Sequence, residues 1–428
     1  MMRVLTTACV GLAIALMLPA TAAGSAVTEW NHTLLDVAKA EDSFLTLKGV
    51  RAAAMMHLAI NDTLVAIDGG ATVYAYEERA AGIDAQAAAL SAAHAIAVDQ
   101  YPDARERFDA LRERGMPDGL SKDARAKASS LGGAVARAVL ATRADDGWSG
   151  EAEYRFHPMG PGVYAEFNEH SGTPEGFVFG AGWADARGFA LREPGQFRSP
   201  PPPAISSQAY TQAFAEVKEL GRFQSMTRTH DQTHLALWWK DFVENSHNRL
   251  ARALVEKEGL PLAQANRLFA LLNMSVLDAY VASFDNKFHY NHWRPYTAIR
   301  WAEHDENAAT EPEGTWNNTH RHTYAFPSYP SAHGTACAAA MTAFTDTFGE
   351  NYAFTMRTET VDIAGPFSEP LVMRPATRSF ESFAEAANEC AMSRVYLGIH
   401  FRYDSVEGYR LGTRVGENVI DTWLKPVP

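Results

Sequence analysis

Three cysteines in 428 residues are too few to build a disulfide scaffold. After the N-terminal segment, no stretch reaches the roughly 18 consecutive apolar residues that a spanning helix needs, so the rest of the chain is expected to be soluble. Basic residues fall short of acidic ones, 38 against 51, for a net charge of −13. That balance argues against a nucleic-acid binder, whose footprint is basic, but says nothing about a local anion pocket. There is no strict internal repeat and no series of alternating strands, so a large sheet is not expected. Glycine and proline, at 30 and 21, stay at ordinary frequency, which excludes collagenous and low-complexity chains. The one excess is histidine. Ten of the 15 lie between His230 and His400, which places the chemistry in the C-terminal half.

The N-terminus reads as an export signal. Arg3 is its only charge, an apolar run from Ala8 to Leu18 follows, and Pro19 precedes the small-residue site Ala20-Thr21-Ala22. Cys9 precedes the apolar run instead of ending it, so it does not suit lipidation. An uncleaved anchor is the rival reading. Cleavage after residue 22 leaves Cys337 and Cys390, either paired in an oxidising compartment or buried as two small apolar side chains. Periplasmic or secreted localisation is the expectation.

The remainder reads as helical: Leu34 to Ile67 with a break, Ala85 to Val98, Ala104 to Arg114, Lys122 to Ala144, Gln208 to Leu220, His230 to Lys257, Leu262 to Phe288, Ala332 to Phe348, Phe380 to Tyr396 and Ser405 to Leu424. Residues 148–205 differ, being rich in glycine, proline and aromatics and ending in four prolines, Pro200 to Pro203. They read as a long irregular segment over a helical body, a kind of loop that is often functional. The expected organisation is therefore a signal at 1–22, N-terminal helices and the covering segment at 23–205, and a C-terminal helical bundle at 206–428, the last two forming one continuous domain.

Three segments carry candidate chemistry. In Lys287-Phe-His-Tyr-Asn-His-Trp-Arg294-Pro295 the two cations are seven apart, nearly two helical turns, which puts both on one helix face before Pro295 ends or kinks it. Two such cations repel unless water or an anion lies between them; alone, the pair reads as an exposed basic face. In Phe326-Pro-Ser-Tyr-Pro-Ser331-Ala332-His333-Gly334 a proline-rich turn enters a helix with Ser331 at the N-cap. The free N–H groups there suit an oxyanion, Ser331 adds a hydroxyl and His333 a proton donor; the plainer reading is a capping turn with a surface histidine. In Ser393-Arg394-Val-Tyr-Leu-Gly-Ile-His400-Phe-Arg-Tyr-Asp404, Arg394 and His400 meet only if the helix breaks near Gly398. Asp404, four beyond His400, is placed to hold the second ring nitrogen; otherwise the pattern is scattered charge on a buried helix. The pairs His230/His234, His289/His292 and His320/His322 have no accompanying Glu or Cys spacing for zinc and read as surface or hydrogen-bonded histidines.

These three motifs, in this order, resemble the signature of the type 2 phosphatidic acid phosphatase and vanadium-dependent haloperoxidase superfamily. The stretch Asp285 to Arg300, together with Phe326 to Pro330 and Ser225 to Thr233, resembles its exported bacterial haloperoxidase-like members. The resemblance spans most of the chain after the signal, more loosely before residue 200. It implies an all-α helical bundle with an oxyanion at its core and vanadate as the cofactor. His400 is then the vanadium ligand. Lys287, Arg294 and Arg394 neutralise the vanadate oxygens, Ser331 and the Ala332 N–H hydrogen-bond them, and His333 is the acid-base residue. One departure is Ala332 where the family has glycine: the N–H is kept, at small cost if φ is negative, and the added methyl narrows the site. Phe326, seven before His333, and Phe284, three before Lys287, take positions implied to line the halide side, unless they only pack the core.

The implied activity is oxidation of halide by hydrogen peroxide to hypohalous acid, with His333 as base and Lys287 polarising the peroxide, and with room for a small organic substrate and a homodimer. The same residues also suit a phosphatase with His400 as nucleophile and His333 as acid. An anion-binding protein without turnover is the third alternative.

Overall fold

The structure is a computed structural model that describes residues 21–42, 47–366 and 368–427. The signal expected at 1–22 lies outside these residues except for Thr21 and Ala22. Among the described residues, fourteen α-helices run in order: α1 (Thr21–Glu41), α2 (Leu47–Asp68), α3 (Ala85–Gln100), α4 (Arg105–Gly115), α5 (Lys122–Thr142), α6 (Asn168–Ser171), α7 (Gln208–Leu220), α8 (His230–Trp238), α9 (Val243–Glu258), α10 (Leu262–Tyr290), α11 (Pro295–Arg300), α12 (Ala332–Phe348), α13 (Phe383–Leu397) and α14 (Arg402–Thr422). Their ends follow local chemistry. Asp84, Ser121, Ser207, Ser331 and Ser382 each cap an N-terminus by accepting a first-turn N–H. Thr229 and Gln232 form a capping box on α8.

Two expectations need correction. The stretch His230 to Lys257 is two helices, α8 and α9, parted at Trp239–Phe242. The gap is tied down by tertiary contacts: the Lys240 ammonium donates to the carbonyls of Asp362 and Ala364, and the Trp239 carbonyl accepts from Arg394. The helix expected from Phe380 starts at Phe383, because Ser382 is its cap and Phe380 belongs to a strand. That strand, β4 (Thr377–Phe380), pairs antiparallel with β1 (Phe354–Arg357); β2 (Thr360–Asp362) pairs with β3 (Pro370–Val372) inside the same hairpin arm.

Helices α2 and α10 form the centre. They pack on each other; α2 also packs on α3 and α5, and α10 on α12 and α14, so the two halves repeat one packing pattern. Both are long and apolar enough to cross a membrane by length and composition, yet their most apolar windows are 94% and 89% buried inside the fold. Each carries a buried carboxylate that ties down a loop. Asp62 accepts the N–H groups of Tyr74, Ala75 and Tyr76, and Asp278 those of Phe189, Ala190 and Leu191.

The irregular stretch between α5 and α7 contains only α6 and two short 3₁₀ turns. It is clamped at both ends. Arg51 and Arg143 share the buried Asp146, and Arg143 reaches on to the carbonyls of Arg187 and Gly188. Asp278 then fixes residues 189–191. Between these anchors, Phe179 and Trp183 are laid against Phe284 of α10.

Candidate active site

Helix α10 delivers Lys287 in its last turn and stops at Asn291, which takes the left-handed conformation at φ 49°. Arg294 therefore does not share a helix face with Lys287, as the seven-residue spacing suggested. It caps α11, with Pro295 at the first helical position, where a missing N–H costs nothing. The turn at Asn291 folds the two cations toward one centre, both fully buried. Lys287 Nζ donates to the carbonyls of Pro327, Ser328 and Pro330 at 3.0, 2.7 and 2.6 Å. Arg294 Nε donates to Phe326 O at 2.9 Å, and its Nη1 to Ile399 O at 3.0 Å and to His400 Nε2 at 3.1 Å. The Phe326 ring lies over both cations, 5.2 Å from Lys287 Nζ and 4.6 Å from the Arg294 guanidinium.

The second motif forms the N-terminus of α12. Ser331 Oγ accepts the Gly334 N–H at 3.2 Å, which leaves its own hydroxyl hydrogen available. Ala332 has negative φ, so its methyl is unstrained there. Its N–H belongs to the first helical turn, where no intrahelical acceptor exists. One residue on, His333 uses one ring nitrogen to bond the Trp239 backbone, while Nε2 is left without a partner among the described residues.

The third motif turns as its glycine requires. Helix α13 ends at Leu397, and Gly398 takes φ 82°, which brings His400 back beside Arg294. His400 Nδ1 lies 2.9 Å from Asp404 Oδ2. The same oxygen accepts the Phe401 N–H at 3.1 Å and the Ser328 hydroxyl. The ring is thus fixed with its hydrogen on Nδ1 and its lone pair on Nε2, the form that ligates a metal. Arg394, on α13, donates through Nη1 to Trp239 O at 3.3 Å.

Burial sets the protonation states. It pushes both His333 and His400 well below the ordinary histidine range; the Arg394 charge adds to this at His333, and the Arg294 and Lys287 charges add to it at His400. Both rings are therefore neutral at pH 7. Asp404 is pushed up by burial, against the opposing pull of the Ser328 hydroxyl and the Lys287 charge. Arg294 is lowered to about 10, again by burial, and stays charged.

These groups fit an oxyanion. Arg294 Nη2 and Arg394 Nε are buried donors without a partner among the described residues, and the buried His333 Nε2, its lone pair free, also has none. Each such group costs about 1–3 kcal/mol if left unpaired, so two guanidinium donors and a basic ring nitrogen in one site, beside the Ser331 hydroxyl and the Ala332 N–H, fit a tetrahedral anion. His400 Nε2 adds a ligand for a metal at its centre. No comparable cluster forms elsewhere: among the described residues, the only three-ligand group of His, Cys or carboxylates is His333 with Cys337 and Cys390, and those cysteines form a disulfide. His234 is bonded to Pro375 O and His292 to the Tyr403 hydroxyl.

Above the site opens a cavity of about 420 Å³. Ala332, His333, Arg394, His400, Phe284 and Phe326 line its floor. The two phenylalanine rings are 5.2 Å apart and nearly buried, so both expected halide-side residues are wall and core at once. Sequence reading missed Ser328, the second partner of Asp404, and Trp239, whose carbonyl holds His333 and Arg394. It also missed the far wall, where Lys240, Glu244 and Tyr280 join Phe177, Phe179 and Trp183 from the covering segment. The aromatic density of residues 148–205 was the one signal for it.

A family model described as the vanadium chloroperoxidase second helical-bundle domain matches residues 267–427, the stretch that holds Lys287, Arg294, Ser331, Ala332, His333, Arg394, His400 and Asp404. A curated relative, vanadium chloroperoxidase of Curvularia inaequalis, is 25% identical; the match covers 48% of this chain and 42% of that protein, so the chain spans less than half the length of this relative. Among solved structures, a bacterial vanadium-dependent iodoperoxidase is 21% identical with a TM-score of 0.75, covering 94% of this chain and 97% of its own. The holo form of a bacterial vanadium-dependent chloroperoxidase is 15% identical with a TM-score of 0.66, covering 87% and 90%. In fold the chain is thus similar to the vanadium-dependent haloperoxidases, and its residues 267–427 match their second helical-bundle domain.

Proposed function

We propose that the protein is a vanadate-dependent haloperoxidase that oxidises halide with hydrogen peroxide to hypohalous acid. The observation that carries this reading is the His400 imidazole, tied at Nδ1 to Asp404 and presenting Nε2 beside Arg294, in a site where Arg294 Nη2 and Arg394 Nε are unpaired buried donors. Bound vanadate supplies a Lewis acid that activates peroxide without changing its oxidation state. The chain's own residues do the rest. His400 Nε2 would hold the metal and Arg294 and Arg394 would neutralise its oxygens, while Lys287 braces the loop that enters α12 through the carbonyls of Pro327, Ser328 and Pro330. The Ser331 hydroxyl and the Ala332 N–H supply further hydrogen bonds. His333, neutral at pH 7, takes a proton from incoming peroxide at Nε2 and returns it later. Phe284 and Phe326 offer ring edges to a weakly hydrated halide. That apolar wall favours halide over a phosphate ester, although phosphoryl transfer through His400 would use the same groups.

Export is part of this proposal. The charged start, apolar run and small-residue site at residues 1–22 support it, and the Cys337–Cys390 disulfide accords with an oxidising compartment. The chain is read as one continuous domain after residue 22.

Titrating the protein with vanadate and then measuring peroxide-dependent oxidation of chloride, bromide and iodide tests the function. Activity that saturates at one vanadate per chain is expected. For His333→Ala, a rate loss of about 10²–10⁴ is expected with vanadate still bound. No vanadate-dependent oxidation of any halide, or a phosphorylated His400 formed from a phosphate ester, overturns it.

A further inference from the structure

Beside His333 lie two sulfurs that take no direct part in the chemistry above. Cys337 stands one helical turn after His333 on α12, so the two side chains share a helix face. Cys390 comes from α13, which packs on α12. Both sulfurs and a ring nitrogen of His333 lie within 4.8 Å of one another. Both cysteines are fully buried, and the two helices are rich in small buried residues around them, Ala336 and Ala338 on α12, Ala387 and Ala391 on α13. In the oxidised chain the sulfurs are joined to each other. Cysteine is incorporated as a thiol, however, and in the reduced chain the same three atoms are one imidazole and two sulfur ligands.

A tetrahedral zinc ion takes sulfur at about 2.3 Å and nitrogen at about 2.0–2.1 Å, which sets such ligand atoms roughly 3.6–3.8 Å apart. The Cα atoms of Cys337 and Cys390 are 6.5 Å apart, toward the wide end of the ~4.4–6.8 Å usual for disulfides. Once the bond between them is cut, the sulfurs can part to the ligand spacing by turning about Cα–Cβ, with the helices in place. Two thiolates cancel the charge of a divalent ion, so the complex adds none beside Arg394, whose charge already acts on His333. We propose that in the reduced chain His333, Cys337 and Cys390 bind a divalent thiophilic ion such as zinc, with water in the fourth place, and that this ion holds the enzyme inactive until the disulfide forms. The site stands on geometry; its effect on turnover rests on the haloperoxidase reading. On loading, two thiols and the ion give a dithiolate complex and two protons. An ion on His333 Nε2 occupies the lone pair that moves the proton, and an ion on the other nitrogen leaves the ring hydrogen on Nε2, so the base is lost either way. Hydrogen peroxide, which comes to His333 as substrate, reverses the state. It takes two electrons from the two thiolates and, with two protons, becomes two waters; the sulfurs join and the ion leaves.

Cobalt(II) is the probe for the site, because thiolate ligands give it a sulfur-to-cobalt charge-transfer band. Chain made in a reducing cytoplasm and purified anaerobically without vanadate is expected to take up one cobalt with that band, and the disulfide-bonded chain none. The double variant Cys337→Ser, Cys390→Ser is expected to lose the band. His333→Ala is expected to keep it while binding cobalt at least about tenfold more weakly. No band in the reduced chain, equal uptake by the disulfide-bonded chain, or an affinity untouched in His333→Ala overturns the site. So does a reduced chain whose helix content, by circular dichroism, stays below that of the oxidised chain even with cobalt. In turnover, zinc-loaded chain supplied with vanadate is expected to oxidise bromide only after a lag, at a rate about 10²–10⁴ below its final one. The lag should end as zinc appears in solution and both thiols disappear, whereas the disulfide-bonded chain starts at once. Full turnover with zinc still bound overturns the inactivation. Failure of every form to oxidise halide overturns only the haloperoxidase reading, since the cobalt band judges the site by itself.

Discussion

Asp404 Oδ2 accepts from three groups at once: the His400 ring, the Phe401 N–H and the Ser328 hydroxyl. The carboxylate keeps the hydrogen of His400 on Nδ1, so the lone pair faces the unpaired donors. Asp404→Asn keeps the size but removes the charge, and its amide can present a donor to the ring. Outer partners of metal-bound histidines are commonly worth about 10–100-fold in metal affinity. A fall of that size in vanadate affinity, measured by equilibrium dialysis, is expected with helix content unchanged. The pairing was legible in the sequence because His400 and Asp404 are one helical turn apart. The part played by Ser328 was not, since it comes from a loop 72 residues away from His400 in sequence.

Single turns between elements decide where the cations go. Gly398 ends α13 at φ 82°, and a Cβ there would run into the Gly221 carbonyl and meet Asn318 Cβ at 2.6 Å. Gly398→Ala thus combines left-handed strain of about 1–2 kcal/mol with a backbone clash. A loss of more than about 2 kcal/mol in urea unfolding is expected, together with weaker vanadate binding as His400 shifts. The need for a break at Gly398 could be read from the six-residue spacing of Arg394 and His400. At Asn291 the same kind of argument failed. The seven-residue spacing of Lys287 and Arg294 fits a continuous helix, and the local signal passed over was Asn291, a residue that takes the left-handed turn more readily than most. Between α12 and α13, Cys337 and Cys390 close a loop with a sequence separation of 53. Chain-entropy arguments give about 4 kcal/mol for such a loop. The double variant Cys337→Ser, Cys390→Ser is expected to lose stability of that order, read as a lower denaturation midpoint. Because the sulfurs and the His333 ring lie within 4.8 Å of one another, the same variant should also slow turnover.

Over the whole molecule, burial of histidine dominates the response to acid. His247 and His292 are lowered to about 3 and His57 to about 4, in each case chiefly by burial, while His320, His333 and His400 are held well below the ordinary value. All six are neutral in the folded chain and titrate near 6.5 when it unfolds. Below pH 6.5 the unfolded chain binds more protons, so this stability is complete above 6.5 and drains as pH falls, by about 1.4 kcal/mol per pH unit for each histidine. Four buried carboxyls act in the opposite sense. Glu244 is raised to about 7, Asp278 to about 6, and Asp62 and Asp404 are raised as well; acid relieves each of them as pH falls toward 4. His322, lowered to about 4 by burial, joins the six histidines, and seven outweigh four, so unfolding midpoints in urea are expected to drop steadily from pH 7 to pH 5. A midpoint that rises over that interval would contradict this account.

The sequence by itself determined the helical body, the capped entry of α12, the three cations, both site histidines and the His400–Asp404 pair, because these rest on local rules of spacing, capping and charge. It left two matters open that the structure decides, the pairing of Cys337 with Cys390 and the unstrained seat of Ala332. Only the tertiary structure placed Arg294 beside His400, split α8 from α9 at Lys240, and laid the aromatic covering segment over α10 to make a cavity. Those features join residues tens to hundreds of positions apart. Their cause is the packing of one half of the chain on the other, which no local periodicity records.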